Sequence, residues 1–127
     1  VIALDIDHFK TINDHFGHDV GDAVIVSLAT LMQQDLRADA ALCRSGGEEF
    51  LLLLPGVSGV QAQRIAERLR LRVESHEMGQ AGRITISLGV AHWPGDASDL
   101  GAVLKQADKA LYQAKHRGRN CVVVAGA

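Results

Sequence analysis

Acidic side chains fall at two places in this chain where they would call for a cation. Asp5 and Asp7 close an apolar run, and Glu48 and Glu49 follow two glycines in Arg44-Ser45-Gly46-Gly47-Glu48-Glu49-Phe50. Apolar segments Ala40 to Cys43 and Leu51 to Leu54 flank the second place. That pattern predicts two strands joined by a two-residue glycine turn, with acid at the tip of the hairpin. Gly46 and Gly47 can take positive φ, which permits a tight turn and lets a ligand approach the backbone. Adjacent carboxylates repel, so a positive group is expected beside them. A divalent metal carrying a nucleotide is the first candidate. The plain alternative is an exposed glutamate pair with no chemistry.

The elements that must position these residues are legible from periodicity. Val1 to Ile6 reads as a strand, and Asp5 and Asp7 share one of its faces because strand side chains alternate. They lie at its carboxyl end, the usual ligand edge of an α/β sheet. Thr11 to Gly21 is polar, with two glycines, and reads as a helical turn followed by a loop. From about Asp22 to Leu36, Val24, Ile25, Leu28, Leu31, Met32 and Leu36 recur at helical spacing. After the hairpin, Pro55-Gly56 ends the second strand. Ser58 is placed to cap a helix reaching about Ser75, with Ala62, Ile65, Ala66, Leu69 and Val73 inward. Ile84 to Ala91 alternates as a strand, and Pro94-Gly95 breaks it. Ser98 is expected to cap a last helix whose inward stripe is Leu100, Val103, Leu104, Ala107, Leu111 and Ala114. Gly118 would end that helix, and Cys121 to Val124 would be a final strand. The order β-α-β-β-α-β-α-β predicts an α/β (α+β) sheet with helices on one side, of the ferredoxin-like or polymerase-palm type.

Composition bounds the function. The chain has 127 residues, 47% hydrophobic and 22% charged, which suits one domain with its own core. A formal net charge of −2 argues against a nucleic-acid or anionic-membrane binder, so any phosphate site must be local. Cys43 and Cys121 show no metal or disulfide spacing, which suits reduced thiols in a cytoplasmic setting. No apolar run reaches membrane-span length. The chain opens inside an apolar strand, which suggests a fragment of something longer, and a full-length protein could be anchored through segments absent here.

Taken together, Asp5-Ile6-Asp7-His8-Phe9-Lys10, Asn13-Asp14, Gly17 to Asp22, Arg44 to Phe50, Ser87 to Val90, Ala107-Asp108, Tyr112 to Lys115 and Gly118-Arg119-Asn120 resemble, in order and spacing, the GGDEF domain of diguanylate cyclases, in its Gly-Gly-Glu-Glu-Phe variant. The resemblance covers nearly the whole chain. It implies the nucleotidyl cyclase catalytic fold over residues 1–127, lacking the family's N-terminal helix and turn and any upstream sensory domain. It also implies condensation of two GTP into cyclic di-GMP with loss of two pyrophosphates, through attack of a 3′-hydroxyl on an α-phosphate. By the same resemblance, Asp5, the Ile6 carbonyl and Glu48 hold Mg²⁺, or Mn²⁺ in its place, with Glu49 in support. Glu48 accepts the proton of the attacking hydroxyl. Lys10, with the amides around His8 and Phe9, holds the terminal phosphates, and Lys115 and Arg119 add positive charge to them. Asn13 and Asp22 read guanine, and His18 makes a further substrate contact. The donor and acceptor pattern of an Asn with an Asp suits a guanine edge. Because the product is a symmetric ring, one GTP per subunit of a two-fold dimer is the expected geometry.

Plainer roles stand beside these. Asp7 is expected to cap the turn that follows it. His15 and His18 lack a third zinc ligand. Lys115, His116, Arg117 and Arg119 would also suit a solvated helix end. Many relatives carry a product-inhibition site, an Arg and an Asp separated by two residues. Here Arg37 matches the Arg but Ala40 stands at the Asp position, with Asp39 one residue early, so weak or absent product inhibition is expected. A non-catalytic GTP-binding regulatory module and a scaffold on the same fold are the two rival functions.

Overall fold

The computed structural model describes residues 1–93 and 99–126. Its elements are β1 (Ile2–Ile6), α1 (Phe9–Phe16), α2 (His18–Asp35), β2 (Ala41–Arg44), β3 (Glu49–Leu53), α3 (Gly59–Glu74), a short 3₁₀ turn (Gly79–Ala81), β4 (Ile86–Val90), α4 (Leu100–His116) and β5 (Val122–Val124). The five strands form one sheet in the order β2-β3-β1-β4-β5. β1 lies at the centre, antiparallel to β3 on one side and β4 on the other, and β5 joins β4 in parallel.

Helices cover both faces, where the sequence pattern predicted one. Alternation along β1 explains it. Ile2, Leu4 and Ile6 enter the main core with the stripes of α2 and α3. Ala3 points the other way, into a smaller core with Val103, Ala107 and Leu111 of α4. That second face is built from small residues, so α4 sits close. A Cβ added to Gly89 would come within 2.3 Å of both the Ala107 carbonyl oxygen and the Leu111 amide nitrogen.

Two local expectations are corrected. Thr11 to Gly21 is helical almost throughout: α1 and α2 meet at the single residue Gly17, whose φ of 92° turns the chain between them. The hairpin loop has four residues, Ser45 to Glu48, and neither Gly46 nor Gly47 takes positive φ. It is closed by the Ser45 amide donating to the Glu49 carbonyl (2.9 Å). Ser58 caps α3 as expected, in a reciprocal pair with Gln61. At α4 the cap is Asp99, whose side chain accepts from the Ala102 amide (2.8 Å). Ser98 and Pro94-Gly95 lie outside the described residues. Leu100 is 49% exposed rather than inward. Cys43 and Cys121 are both free thiols. Among the described residues no helix is long and apolar enough to cross a membrane.

Candidate active site

The carboxyl end of β1 meets three other parts of the chain. Asp5 pairs in register with Glu49 of β3 and Ser87 of β4. Residues directly opposite share a face, so Glu49 comes beside Asp5, although it is exposed and Asp5 is only 2% exposed. The Ile6 amide donates to the Glu48 carbonyl (3.3 Å), which ties the hairpin loop to the end of β1. Phe50, buried in the main core, anchors the same hairpin from the other side.

A cleft of about 270 Å³ opens at this junction. The end of β1 gives it Asp5, Ile6 and Asp7; the start of α1 gives it His8, Phe9, Lys10 and Thr11; the hairpin gives it Glu48; the end of α4 gives it Lys115, and the turn after α4 gives it Arg119. His8 precedes α1 in the left-handed region (φ 57°, ψ 33°) and makes no side-chain cap. The first-turn amides of α1 are therefore open to an anion, with Lys10 beside them. The cleft thus carries three carboxylates and three cationic side chains.

The charges are not evenly met. Lys115 Nζ donates to Asp5 Oδ2, while Asp5 Oδ1 is buried with no hydrogen-bond partner. Burial raises the Asp5 pKa from 3.8 to about 6, with Lys115 pulling the other way and Glu48 and Glu49 pushing it further up. A partnerless buried carboxylate oxygen beside a second carboxylate fits a divalent cation. Among the described residues no three His, Cys, Asp or Glu side chains converge on one point. Asp5, Ile6 and Glu48 line the cleft together, and two carboxylates with a backbone carbonyl could offer part of an oxygen shell of the kind a hard cation completes with water and phosphate oxygens.

Asp7 behaves differently from Asp5, and it does not cap a helix. Its carboxylate accepts from Thr85 Oγ1 (2.7 Å), Ser87 Oγ (2.6 Å) and the Asn120 amide (2.9 Å), so it fastens β1 to β4 and to the segment before β5. Sequence reasoning missed this acceptor. The signal was present in Thr85 and Ser87, two hydroxyls on one face of an otherwise apolar strand.

Of the residues expected at the site, Asp5, Ile6, Phe9, Lys10, Glu48, Lys115 and Arg119 line this one cleft, whereas Glu49 does not line it and instead pairs with Asp5 across the β1–β3 ladder. Asn13, His18 and Asp22 do not line it. They belong to the elbow of α1 and α2, where Asn13 packs over Gly21: a Cβ on Gly21 would lie 1.8 Å from Asn13 Oδ1, which is buried without a partner. His18 and Asp22 are exposed.

Comparison with known proteins gives one consistent result. The family profile described as diguanylate cyclase, GGDEF domain, matches residues 1–121. The response regulator PleD of Caulobacter vibrioides is 45% identical over 127 residues, covering 96% of this chain and 28% of that protein. The probable diguanylate cyclase DgcT of Escherichia coli is 41% identical over 129 residues, covering 98% of this chain and 28% of that protein. The chain thus spans under a third of the length of these relatives. Among solved structures, the GGDEF domain of DgcB from Caulobacter crescentus, in complex with c-di-GMP, superposes with a TM-score of 0.90 at 35% identity, covering 99% of this chain and 77% of that one. The active GGEEF domain of a diguanylate cyclase from Vibrio cholerae gives 0.87 at 37% identity, with 99% and 81% covered.

Proposed function

Because the chain belongs to the diguanylate cyclase GGDEF family, we propose that it condenses two molecules of GTP into cyclic di-GMP, releasing two pyrophosphates. The observation that carries this reading is the pairing, in one cleft, of a buried carboxylate with a free oxygen and three cationic side chains. The first suits a metal, and the second suit a polyphosphate.

In this reading Asp5, the Ile6 carbonyl and Glu48 hold Mg²⁺, with Glu49 beside them. The ion, when bound, draws negative charge from the α-phosphate and the departing pyrophosphate. Lys10 and the open amides of α1 hold the terminal phosphates, and Lys115 and Arg119 neutralise them from the opposite wall. Glu48 accepts the proton of the attacking 3′-hydroxyl. Asn13 and Asp22 recognise guanine along the α1–α2 elbow, with His18 adding a contact.

One cleft holds one nucleotide, whereas the product joins two through reciprocal bonds. Two copies related by a two-fold axis would present each hydroxyl to the other's α-phosphate, which turns a meeting of four components into a meeting of two. The supply of GTP makes the cytoplasm the setting of the reaction. Control of pairing by a sensory segment outside these residues belongs to the same reading.

The experiment is incubation of the chain with GTP and Mg²⁺ at high protein concentration, then again after fusion to a dimeric coiled coil. Chromatography should show cyclic di-GMP and pyrophosphate, with the fused form faster. GTP bound but unconverted by the fused dimer would leave a nucleotide-binding regulatory module instead.

A further inference from the structure

The turn that leaves α4 is held in an unfavourable conformation by distant parts of the molecule. Gly118, Arg119 and Asn120 follow one another at φ of +110°, +63° and +46°. Glycine adopts such angles freely, but two successive L residues there need support from their surroundings. The Arg119 amide donates to the Ala114 carbonyl (3.1 Å), closing the end of α4 in the usual six-residue ring. That ring needs one left-handed residue, and Gly118 supplies it. The two that follow need another explanation.

Asn120 supplies the support. Its amide donates to Asp7 Oδ2 (2.9 Å), its side-chain carbonyl accepts from Arg70 Nη1 (3.0 Å), and its side-chain amide donates to Glu74. Each partner is itself fixed. Asp7 is buried and takes the Thr85 and Ser87 hydroxyls, and Arg70 Nε donates to both Glu67 oxygens (3.1 and 3.0 Å). A single residue is thereby pinned to the end of β1 and to α3. Its neighbour Arg119 carries no ion pair or hydrogen bond on its guanidinium among the described residues, and it lines the cleft.

We propose that Asn120, held by Asp7 and Arg70, is a positioning residue that fixes the left-handed turn so that the Arg119 guanidinium faces the phosphates of a nucleotide in the cleft. The inference rests on the cleft being a phosphate site, as proposed above. Asn suits the position because it tolerates the left-handed region and offers both a donor and an acceptor beyond its backbone. Ala keeps the amide but loses Arg70 and Glu74 and disfavours the backbone angle. Gly keeps the amide and the angle.

The test is a double-mutant cycle read by calorimetric titration of the whole chain with inorganic triphosphate and, separately, with GTP, each with Mg²⁺ present. Asn120→Ala and Arg119→Ala should each weaken triphosphate binding by about tenfold, the scale of one charge-assisted contact. The double variant should bind no more weakly than Arg119→Ala alone, and Asn120→Gly should lose less than Asn120→Ala. Should Asn120→Ala fail to fold, Arg70→Ala, which removes a named support of Asn120 and leaves the turn's own residues in place, is combined with Arg119→Ala in the same cycle, and the absence of coupling overturns the proposal. Losses that add, or an Asn120→Ala variant that melts lower yet binds triphosphate as well as the parent, would reduce the network to a structural one. Triphosphate binding without GTP binding by the parent chain would sink the cyclase reading and leave this cycle intact. Binding of neither would overturn both.

Discussion

Lys115 at the end of α4 donates to the carboxylate of Asp5 in the central strand, across a sequence separation of 110 residues. Only one Asp5 oxygen is met in this way, and burial outweighs the lysine, leaving the carboxyl with a pKa of about 6. The unfolded chain ionises this group near 3.8, so between those values the folded state holds more protons. The contribution of Asp5 to the stability of the metal-free chain should then be fully present below about pH 4 and be lost as pH rises towards about 6, levelling above it. A shift of this size corresponds to roughly 3 kcal/mol. Urea unfolding in EDTA from pH 4 to 7.5 should show that decline in the parent and a flatter profile in Asp5→Asn. Parallel profiles would mean that Asp5 does not titrate as described.

In the proposed reaction Glu48, which lines the cleft with Asp5, takes the proton of the attacking hydroxyl. Glu48→Ala should lower kcat for cyclic di-GMP formation by at least ~100-fold, the contribution expected of a positioned base. Near-parental turnover would move the role elsewhere in the cleft.

Gly21 lets α2 pass under Asn13. In Gly21→Ala the new methyl meets the movable end of a side chain, so the fold should persist while Asn13 swings away. Discrimination between GTP and ATP should drop by about tenfold in competition titrations, as befits a lost base contact. Unchanged selectivity would remove Asn13 from guanine recognition.

Gly89 presents a harder limit, because the atoms facing it are α4 backbone. Gly89→Ala should destabilise the chain by ~3 kcal/mol or more through overpacking. The urea midpoint reports it directly, and a midpoint within error of the parent would contradict the close packing.

Arg37 spends its guanidinium on Asp39 (3.0 and 2.8 Å) and on the Pro55 carbonyl (2.6 Å). With Ala40 at the expected acidic position, cyclic di-GMP should not inhibit through this arginine. Initial rates with added product should be the same in the parent and in Arg37→Ala; potent inhibition abolished by that substitution would refute the expectation.

The parts of this molecule that local chemistry determines could be read from the residues. Ser58 announces the start of α3, and the stripes of α2, α3 and α4 identify their inward faces apart from Leu100. α1 escaped because it is only eight residues long: Phe9, Ile12 and Phe16 recur at helical spacing, but none is buried and the polar residues and glycine around them read as a turn and loop. The second helical face was hidden because the layer under the middle of α4 is Ala3, Ala91 and Gly89, with the larger Val1, Leu51 and Val123 only around it. At the site, the acids of β1 and the hairpin stood out by type and spacing. The task of Asp7 did not, because its partners lie 78, 80 and 113 residues away.

The central place of β1 also matters for how the molecule is made. A growing chain releases β1 long before β3 and β4, the two strands that will flank it. Until Val90 has been translated, one whole edge of an apolar strand stands open, a state prone to mispairing with other nascent chains. Lys10 is made early, but the other two cations of the cleft come later still, on the last helix and the turn after it. A ribosome-bound chain therefore carries the acids of the site without Lys115 and Arg119, and the complete cleft can form only once nearly all of these residues have cleared the exit tunnel.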